Sequence, residues 1–217
     1  MSTLTSLSGH VHALVLAAGR STRMGGATPK QLLPWGPHTV IEQVVATLLQ
    51  AGFAADEITV VTGHRREEVE GAVAHLGVRC VHNPAYAEAD MLASIQAGLR
   101  SLPDGCGGAL LALADQPQMQ VQTVRQVVEA FQAGGGWALV IPSYQMRRGH
   151  PILLPARLWP EVLALPADAS LRAVVQRHAH EIHYVVVDTP TVLADLDTPE
   201  DYRAAAPASS LEPNPQP

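Results

Sequence analysis

Five charged side chains in this sequence are placed where they could do chemistry on phosphate groups. Arg23 and Lys30 lie in a glycine-containing loop that follows the apolar run VHALVLA, and Asp115 directly follows a second apolar run, GALLALA. Asp195 and Asp197 stand just before the segment TPEDYRAA. Arginine offers phosphate a planar fork of donors and lysine a point charge, whereas a carboxylate is the hard oxygen ligand that suits Mg²⁺. The presence of these arginine, lysine and aspartate residues predicts a site for an anionic ligand together with a divalent cation.

The loop over residues 16–30, called the signature loop below, has the composition of an anion-binding turn. Ala17, Ala18 and Gly19 are small enough to let a base or a phosphate approach the backbone, and the loop offers several N–H groups. Its glycine spacing fits neither a Walker loop nor the dinucleotide-binding fingerprint. The alternative is a generic connection between strand and helix with ordinary surface cations.

The other candidate residues also have plainer readings. Asp115 could be a turn or N-cap aspartate before the next helix, and Asp197 or Thr198 could simply cap the helix at 198–205. In the triplet at 149–151, Gly149 permits a close approach, Pro151 fixes the turn and His150 could donate to a phosphate. A lone histidine is more often an ordinary surface or core residue. The residues alone leave these alternatives open.

Short apolar runs alternate with helical patterns along the chain, which predicts crossover connections and a mostly parallel sheet covered by helices. The run at 148–155 is predicted as one return, antiparallel strand. Ligands of such sheets bind outside the carboxyl ends of the strands, and this rule adds Thr62, Gly63 and Ser94 to the candidates. The predicted strands are 11–17, 57–63, 78–83, 108–114, 137–144, 148–155 and 182–188, and the predicted helices are 39–51, 65–77, 91–102, 121–134, 156–164, 169–179 and 198–205.

Length and composition exclude several classes of protein. The 217 residues are 47% apolar and 16% charged, which excludes global disorder, and we predict one domain over 11–205 with disordered tails at 1–10 and 206–217. A net charge of −6 argues against a nucleic-acid surface, and the apolar runs fall short of the ~20 residues that span a membrane. Two cysteines make no disulfide framework, and the N-terminus has no secretory pattern, so we expect a cytoplasmic protein.

The string LAAG-x-S-x-R-M-G followed by Pro-Lys resembles the opening motif of nucleotidyltransferases with a Rossmann-like fold. The Gly-His-Pro triplet at 149–151 is similar to that of the molybdenum cofactor cytidylyltransferases, a MobA-like group within that superfamily. The resemblance implies a Rossmann-like three-layer α/β sandwich of the nucleotide-diphospho-sugar transferase type. It also implies an enzyme that transfers a nucleotidyl group, releases pyrophosphate and depends on Mg²⁺.

Site roles follow from the same resemblance. Arg23, Lys30 and Asp115 would be the catalytic residues, with Asp115 and Asp197 holding Mg²⁺. The acceptor would be the molybdopterin cofactor, bound by Gly149, His150 and Pro151, and a molybdoenzyme would receive the product. The implied nucleotide-binding residues are Leu16, Ala17, Ala18, Gly19, Ser21, Arg23, Lys30, Thr62, Gly63, Ser94 and Asp115.

The expected nucleotide is CTP, because cytidylyl members of the family read Leu-Ala-Ala-Gly as this chain does, whereas guanylyl members more often read Leu-Ala-Gly-Gly. Asp90, where the family often has glycine, departs from the pattern. One alternative function is transfer to a sugar phosphate or polyol phosphate. Another is a non-catalytic carrier or assembly chaperone for the molybdenum cofactor.

Overall fold

A computed structural model describes residues 11–25, 28–87 and 91–211 of the chain. Its strands are β1 Val11–Ala17, β2 Pro34–Trp35, β3 His38–Thr39, β4 Ile58–Thr62, β5 Arg79–His82, β6 Gly108–Leu113, β7 Leu139–Tyr144, β8 Arg147–Arg148, β9 Ile152–Pro155 and β10 Ile182–Val186. Its α-helices are α1 Val40–Ala51, α2 Arg66–Val73, α3 Met91–Ser101, α4 Val121–Ala133, α5 Trp159–Leu163, α6 Leu171–Arg177, α7 Pro199–Ala205 and α8 Ala208–Leu211.

The main sheet runs in the order β10-β7-β9-β6-β1-β4-β5, with β8 paired to β7. Strands β6, β1, β4 and β5 are mutually parallel, and β10 is parallel to β7. Strand β9 lies antiparallel to both β6 and β7. The mostly parallel sheet with a return strand is therefore confirmed, and the carboxyl ends of β1 and β6 lie side by side at one edge.

Helices cover both faces of this sheet, as the side-chain alternation of β1 requires. Ala13 and Val15 face a core shared with α1, α2 and α4, whereas Leu14 faces a second core shared with α3, α5 and α6. Because both faces are buried, the central strands read as continuous apolar runs. This arrangement confirms the three-layer α/β sandwich.

Two small elements differ from the predicted ones. The two-residue strands β2 and β3 form a hairpin that the sequence pattern did not indicate, and the return strand is interrupted at 149–151, between β8 and β9. The tail predicted as disordered from residue 206 instead includes α8, where the backbone N–H of Gly36 donates to Ser210 Oγ at 2.6 Å. Residues 1–10 and 212–217, the rest of the predicted tails, lie outside the described residues.

Across 11–25, 28–87 and 91–211, none of the helices is long and apolar enough to pass through a bilayer. Both cysteines, Cys80 and Cys106, are free.

Candidate active site

A cleft of about 510 Å³ opens at the carboxyl ends of β1 and β6. Residues 16–23 and 30 of the signature loop line it, and Asp195 and Asp197, from the segment before α7, lie against them. The residues that line the cleft are Leu16, Ala17, Ala18, Gly19, Arg20, Ser21, Thr22, Arg23, Lys30, Gln31, Tyr86, Met91, Ser94, Leu113, Ala114, Asp115, Asp195 and Asp197.

Four charged side chains meet in this cleft. The Nζ of Lys30 lies 2.5 Å from Oδ2 of Asp115 and 3.1 Å from Oδ1 of Asp197. Arg23 donates from a guanidinium nitrogen to Oδ2 of Asp197 at 2.8 Å. Lys30 and Asp115 are largely buried, with 16% and 20% of their side chains exposed, whereas Arg23 is 70% exposed. The structure thus brings together the cations and carboxylates that the sequence placed more than 80 residues apart.

Burial opposes the charge of Lys30, but the charge and hydrogen bond of Asp115, helped by Asp197, outweigh it and leave the pKa of Lys30 above its ordinary value. Its ammonium is a cation held jointly by two carboxylates, so Asp115 and Asp197 fit a divalent ion. Within the described ranges no three His, Cys, Asp or Glu side chains form a metal cluster. Two carboxylates are what Mg²⁺ commonly takes from a protein when phosphate oxygens and waters complete its shell.

The two acid-bearing segments are tied to each other behind the cleft. The backbone N–H of Leu196 donates to the carbonyl oxygen of Asp115 at 3.0 Å, and the Gln116 side-chain amide donates to Oδ1 of Asp195 at 2.6 Å. Burial raises the pKa of Asp195, the Gln116 bond opposes this, and the charges of Asp115 and Asp197 add to the rise. Asp195 therefore belongs to the same electrostatic cluster.

Local geometry bears on whether Asp115 and Asp197 serve as helix N-caps, an alternative that the sequence left open. Thr198 caps α7, because its Oγ1 accepts from the backbone N–H of Asp201 at 3.2 Å, so the Asp197 carboxylate is left to the cations. Helix α4 starts after Gln120, five residues beyond Asp115, so Asp115 is not its N-cap. It does lie in a turn, as the alternative expected, which the backbone N–H of Gln116 closes by donating to the carbonyl oxygen of Leu113 at 3.2 Å. Both aspartates are thus turned to the cleft rather than to a helix end.

Ser94 lines the cleft from the first turn of α3 and is 6% exposed. Its hydroxyl oxygen accepts from the side-chain amide of Asn83 at 3.0 Å, which leaves the O–H to donate. Asp90, the residue that departs from the family pattern, lies outside the described residues.

Thr62 and Gly63, predicted as nucleotide-binding, do not line the cleft. Thr62 is fully buried, and its hydroxyl donates to Glu70 at 3.0 Å on the side facing α2. A Cβ at Gly63 would come within 2.6 Å of Tyr86 Cβ and 2.8 Å of Ala18 Cβ. Gly63 is therefore needed for packing behind the wall, where it lets Tyr86 and Ala18 come together.

The triplet at 149–151 also lies outside the lining of the cleft. A Cβ at Gly149 would lie 2.4 Å from the carbonyl oxygen of Val192, so the close approach it permits is to the chain itself. The backbone N–H of His150 donates to that same oxygen at 3.0 Å. Burial lowers the pKa of His150 to about 4, against the opposing charge of Asp115, so its imidazole is neutral at pH 7.

Several lining residues were missed by the sequence reasoning. Gln31, Tyr86 and Met91 border the cleft but were assigned no role. Gln31 follows Lys30 directly and is 3% exposed, and a buried glutamine needs partners for its amide. Its position beside the Pro-Lys pair was the one signal that could have drawn attention to it.

Comparison with known proteins agrees with this geometry. Residues 13–182 match the MobA-like NTP transferase domain. The nicotine blue oxidoreductase of Paenarthrobacter nicotinovorans is 28% identical over 195 residues, which cover 88% of this chain and 93% of that protein. The 2-C-methyl-D-erythritol 4-phosphate cytidylyltransferase of Salinibacter ruber is 30% identical over 137 residues, 63% of this chain and 57% of that enzyme.

Among solved structures, the Rv0371c protein of Mycobacterium tuberculosis superposes with a TM-score of 0.75 at 29% identity, covering 90% of this chain and 96% of that one. The same protein has been solved in complex with manganese. The family match covers well over half of the chain and confirms the resemblance drawn from the signature loop. The chain belongs to the family of MobA-like NTP transferase domains, a family of nucleotidyltransferases.

Proposed function

We propose that this protein transfers a cytidylyl group from CTP to a phosphate of the molybdopterin cofactor, with Mg²⁺ as the metal. The observation that carries the proposal is the cluster of Lys30, Asp115, Asp197 and Arg23, which places two carboxylates and two cations in one cleft of the size of a nucleotide site. Membership in the MobA-like family supports the acceptor, and the cytidylyltransferase relative supports the nucleotide.

The proposed reaction is an in-line displacement. An oxygen of the acceptor phosphate forms a bond to the α-phosphorus of CTP, and the bond from that phosphorus to the oxygen bridging to the β-phosphate breaks. The leaving pyrophosphate takes the electron pair. Such chemistry depends on positioning and on charge neutralisation more than on a covalent residue, so no general base is assigned.

Each charged residue has a role in that step. Arg23 and Lys30 would neutralise the β- and γ-phosphates and so stabilise the leaving pyrophosphate. Asp115 and Asp197 would hold Mg²⁺, which when bound offsets negative charge on the reacting phosphate. Lys30 would have to exchange at least one carboxylate for a phosphate oxygen, and the flexible lysine stem allows that exchange.

The nucleotide base would lie against the small residues at the end of β1, with Ser94 donating to it from the start of α3. Ala18 is 5% exposed and packs beside Tyr86 and Gly63, so its methyl group narrows the cleft at this point. The neutral His150 would donate to the acceptor phosphate from the 149–151 segment, and a molybdoenzyme would receive the finished cofactor.

The test is a screen of the purified protein with each common ribonucleoside triphosphate, Mg²⁺ and a set of acceptors, followed by pyrophosphate release. Release with CTP and molybdopterin together, but with neither alone, is the expected result. Release only with a sugar phosphate or polyol phosphate would move the protein to the alternative acceptor class. Binding of molybdopterin without any pyrophosphate release would favour the non-catalytic carrier.

An oxidoreductase is a second candidate, because the nicotine blue oxidoreductase matches this chain over 88% of its length. The charge cluster favours the transferase, since two cations beside two carboxylates suit a metal-bound triphosphate. The two candidates separate in a simple comparison. An oxidoreductase would consume a reduced nicotinamide or flavin in the presence of a dye acceptor and would release no pyrophosphate.

A further inference from the structure

A buried glutamine closes the signature loop on itself. Gln31 is 3% exposed, and its side-chain amide N–H donates to the carbonyl oxygen of Ala17 at 3.2 Å, where the loop leaves β1. Its Oε1 accepts from Ser21 Oγ at 3.1 Å, in the turn of the loop. Ser21 Oγ in turn accepts from the backbone N–H of Lys30 at 3.2 Å, where the loop returns.

This network connects the three points that define the shape of the loop. Ser21 has a positive φ of 52°, a left-handed conformation that a non-glycine residue holds only when its surroundings fix it. The Ser21 hydroxyl is fixed from both sides, by Gln31 and by Lys30. Gln31 borders the cleft, and one of its two amide N–H groups and its carbonyl oxygen are engaged with the loop.

We propose that Gln31 is a positioning residue, which keeps the described part of the signature loop, residues 16–25 and 28–30, in its anion-binding shape and sets Lys30 beside Asp115 before any nucleotide arrives. The effect on catalysis rests on the function proposed above, whereas the effect on the loop does not. Without the network, the empty loop samples other conformations, and binding has to select the competent one. Affinity for the triphosphate then falls, while the bound state, once held by phosphate contacts, reacts at nearly the same rate.

The variant Gln31→Met tests this inference, because methionine keeps the length and burial of the side chain but removes both hydrogen bonds. The matched control is Gln43→Met on α1, where the amide contacts Thr47 on the same helix. For Gln31→Met we expect KM for CTP to rise about 10-fold, with kcat within about 3-fold of the unsubstituted enzyme. Unchanged KM together with a lower melting temperature would assign Gln31 a merely structural role and overturn the proposal.

Trypsin supplies a readout that needs no activity. Arg20 and Arg23 are exposed in the loop, so mass spectrometry of brief digests of the nucleotide-free protein reports how often the loop opens there. We expect faster cleavage after these two residues in Gln31→Met and not in Gln43→Met, with cleavage outside residues 16–30 unchanged. Equal loop cleavage in the variant and the unsubstituted protein would overturn the proposal. Faster cleavage in a protein that releases no pyrophosphate would support the role of Gln31 and refute the proposed transfer.

A double substitution checks the path of the effect. If Gln31 acts through Ser21, then adding Ser21→Ala to Gln31→Met should raise loop cleavage by less than the product of the two single effects. Independent, multiplicative effects would show that Gln31 does not act through the Ser21 hydroxyl and would overturn the network.

Discussion

The Nζ of Lys30 lies 2.5 Å from Oδ2 of Asp115, across 85 residues of sequence, and joins the last residue of the signature loop to the turn that follows β6. The cation proposed to hold the triphosphate and the carboxylate proposed to hold the metal thus neutralise each other. Asp197 completes the arrangement by contacting both Lys30 and Arg23. Metal and nucleotide would each have to break this pairing if they bound alone.

The first prediction is that Mg²⁺ and CTP bind cooperatively. When both arrive together, the metal takes the carboxylates and the phosphates take the freed cations, so neither charge is left unpaired. We expect Mg²⁺ to tighten CTP binding at least about 10-fold in titration calorimetry, a common size for coupling between two ligands. CTP affinity that is the same with Mg²⁺ and with a chelator would contradict this.

The second prediction concerns Asp115→Asn, which keeps the shape of the side chain and removes its charge. Lys30 retains Asp197 as a partner, so the fold should persist with a nearly unchanged melting temperature. We expect transfer to fall at least about 100-fold, the scale of losing one strong electrostatic element of an active site. The matched control is Asp104→Asn in an exposed turn. Near-normal turnover of the Asp115 variant would show that this carboxylate does not hold the metal.

The sequence predicted secondary structure well where burial alone determines where a strand begins and ends. Strand β1 begins and ends at the predicted residues, because a strand buried on both faces is a nearly continuous apolar run, here with His12 as the polar member, and the small residues Ala18 and Gly19 follow it. Parallel strands share a carboxyl edge, which is why Asp115 could be expected near the signature loop. The hairpin of β2 and β3 could not be predicted, since two-residue strands are too short to show alternation.

The rule that ligands bind at the carboxyl edge of the sheet does not predict the direction in which a side chain at that edge points. Thr62 ends β4 at the correct edge, yet its hydroxyl points at Glu70 on α2 rather than into the cleft. The roles of Gln31 and Gln116 were also invisible, because their partners are set by the path of a loop and by a segment 79 residues away. Such contacts depend on tertiary structure and leave no periodic pattern in the sequence.

The third prediction concerns the choice of base. The methyl group of Ala18 narrows the cleft beside Tyr86, so the smaller pyrimidine base should be favoured over a purine. We expect CTP to exceed GTP in kcat/KM, and Ala18→Gly to shift that ratio about 10-fold toward GTP, because one methyl group gives only limited discrimination. A GTP efficiency equal to that of CTP in the unsubstituted enzyme would refute the assignment.

The fourth prediction concerns a histidine remote from the cleft. His178 Nδ1 lies 3.0 Å from Glu181 and Nε2 lies 2.8 Å from Glu161, while Arg157 and Arg177 pair with the same two carboxylates. The hydrogen bond with Glu181, then that with Glu161, raises the pKa of His178. Because the pKa is higher in the folded protein, the charged imidazole of His178 stabilises the fold. This stabilisation is fully present below the unfolded-state pKa of about 6.5 and is lost as pH rises through the folded-state pKa.

Accordingly, His178→Gln should lower the melting temperature at about pH 6 by roughly 2 °C and have a smaller effect at about pH 9. The effect is small because the cluster is only partly buried and its charges are screened by water and salt. His183→Gln, at an exposed position of β10, is the matched control. A larger drop in melting temperature at about pH 9 than at about pH 6 would show that His178 does not stabilise the fold through its charged form.

The fifth prediction concerns His150, whose pKa is lowered to about 4 by burial. Because the folded pKa lies below the ordinary value of about 6.5, protonation favours the unfolded chain. Stability should therefore fall as pH drops from about 6.5 toward 4, and His150→Gln should reduce that acid sensitivity. Melting curves of the two proteins across this range test the pKa without any substrate.

The neutral ring also fixes what His150 can do for the reaction. A donor N–H would orient the acceptor phosphate but would add no charge, so KM for the acceptor should change little between about pH 6 and 8 on account of this residue. His150→Ala should raise KM for the acceptor and lower kcat, with KM for CTP nearly unchanged. If the substitution instead weakened only CTP binding, His150 would belong to the nucleotide side of the cleft. If it lowered only the melting temperature, the buried ring would serve only the packing of the 149–151 segment.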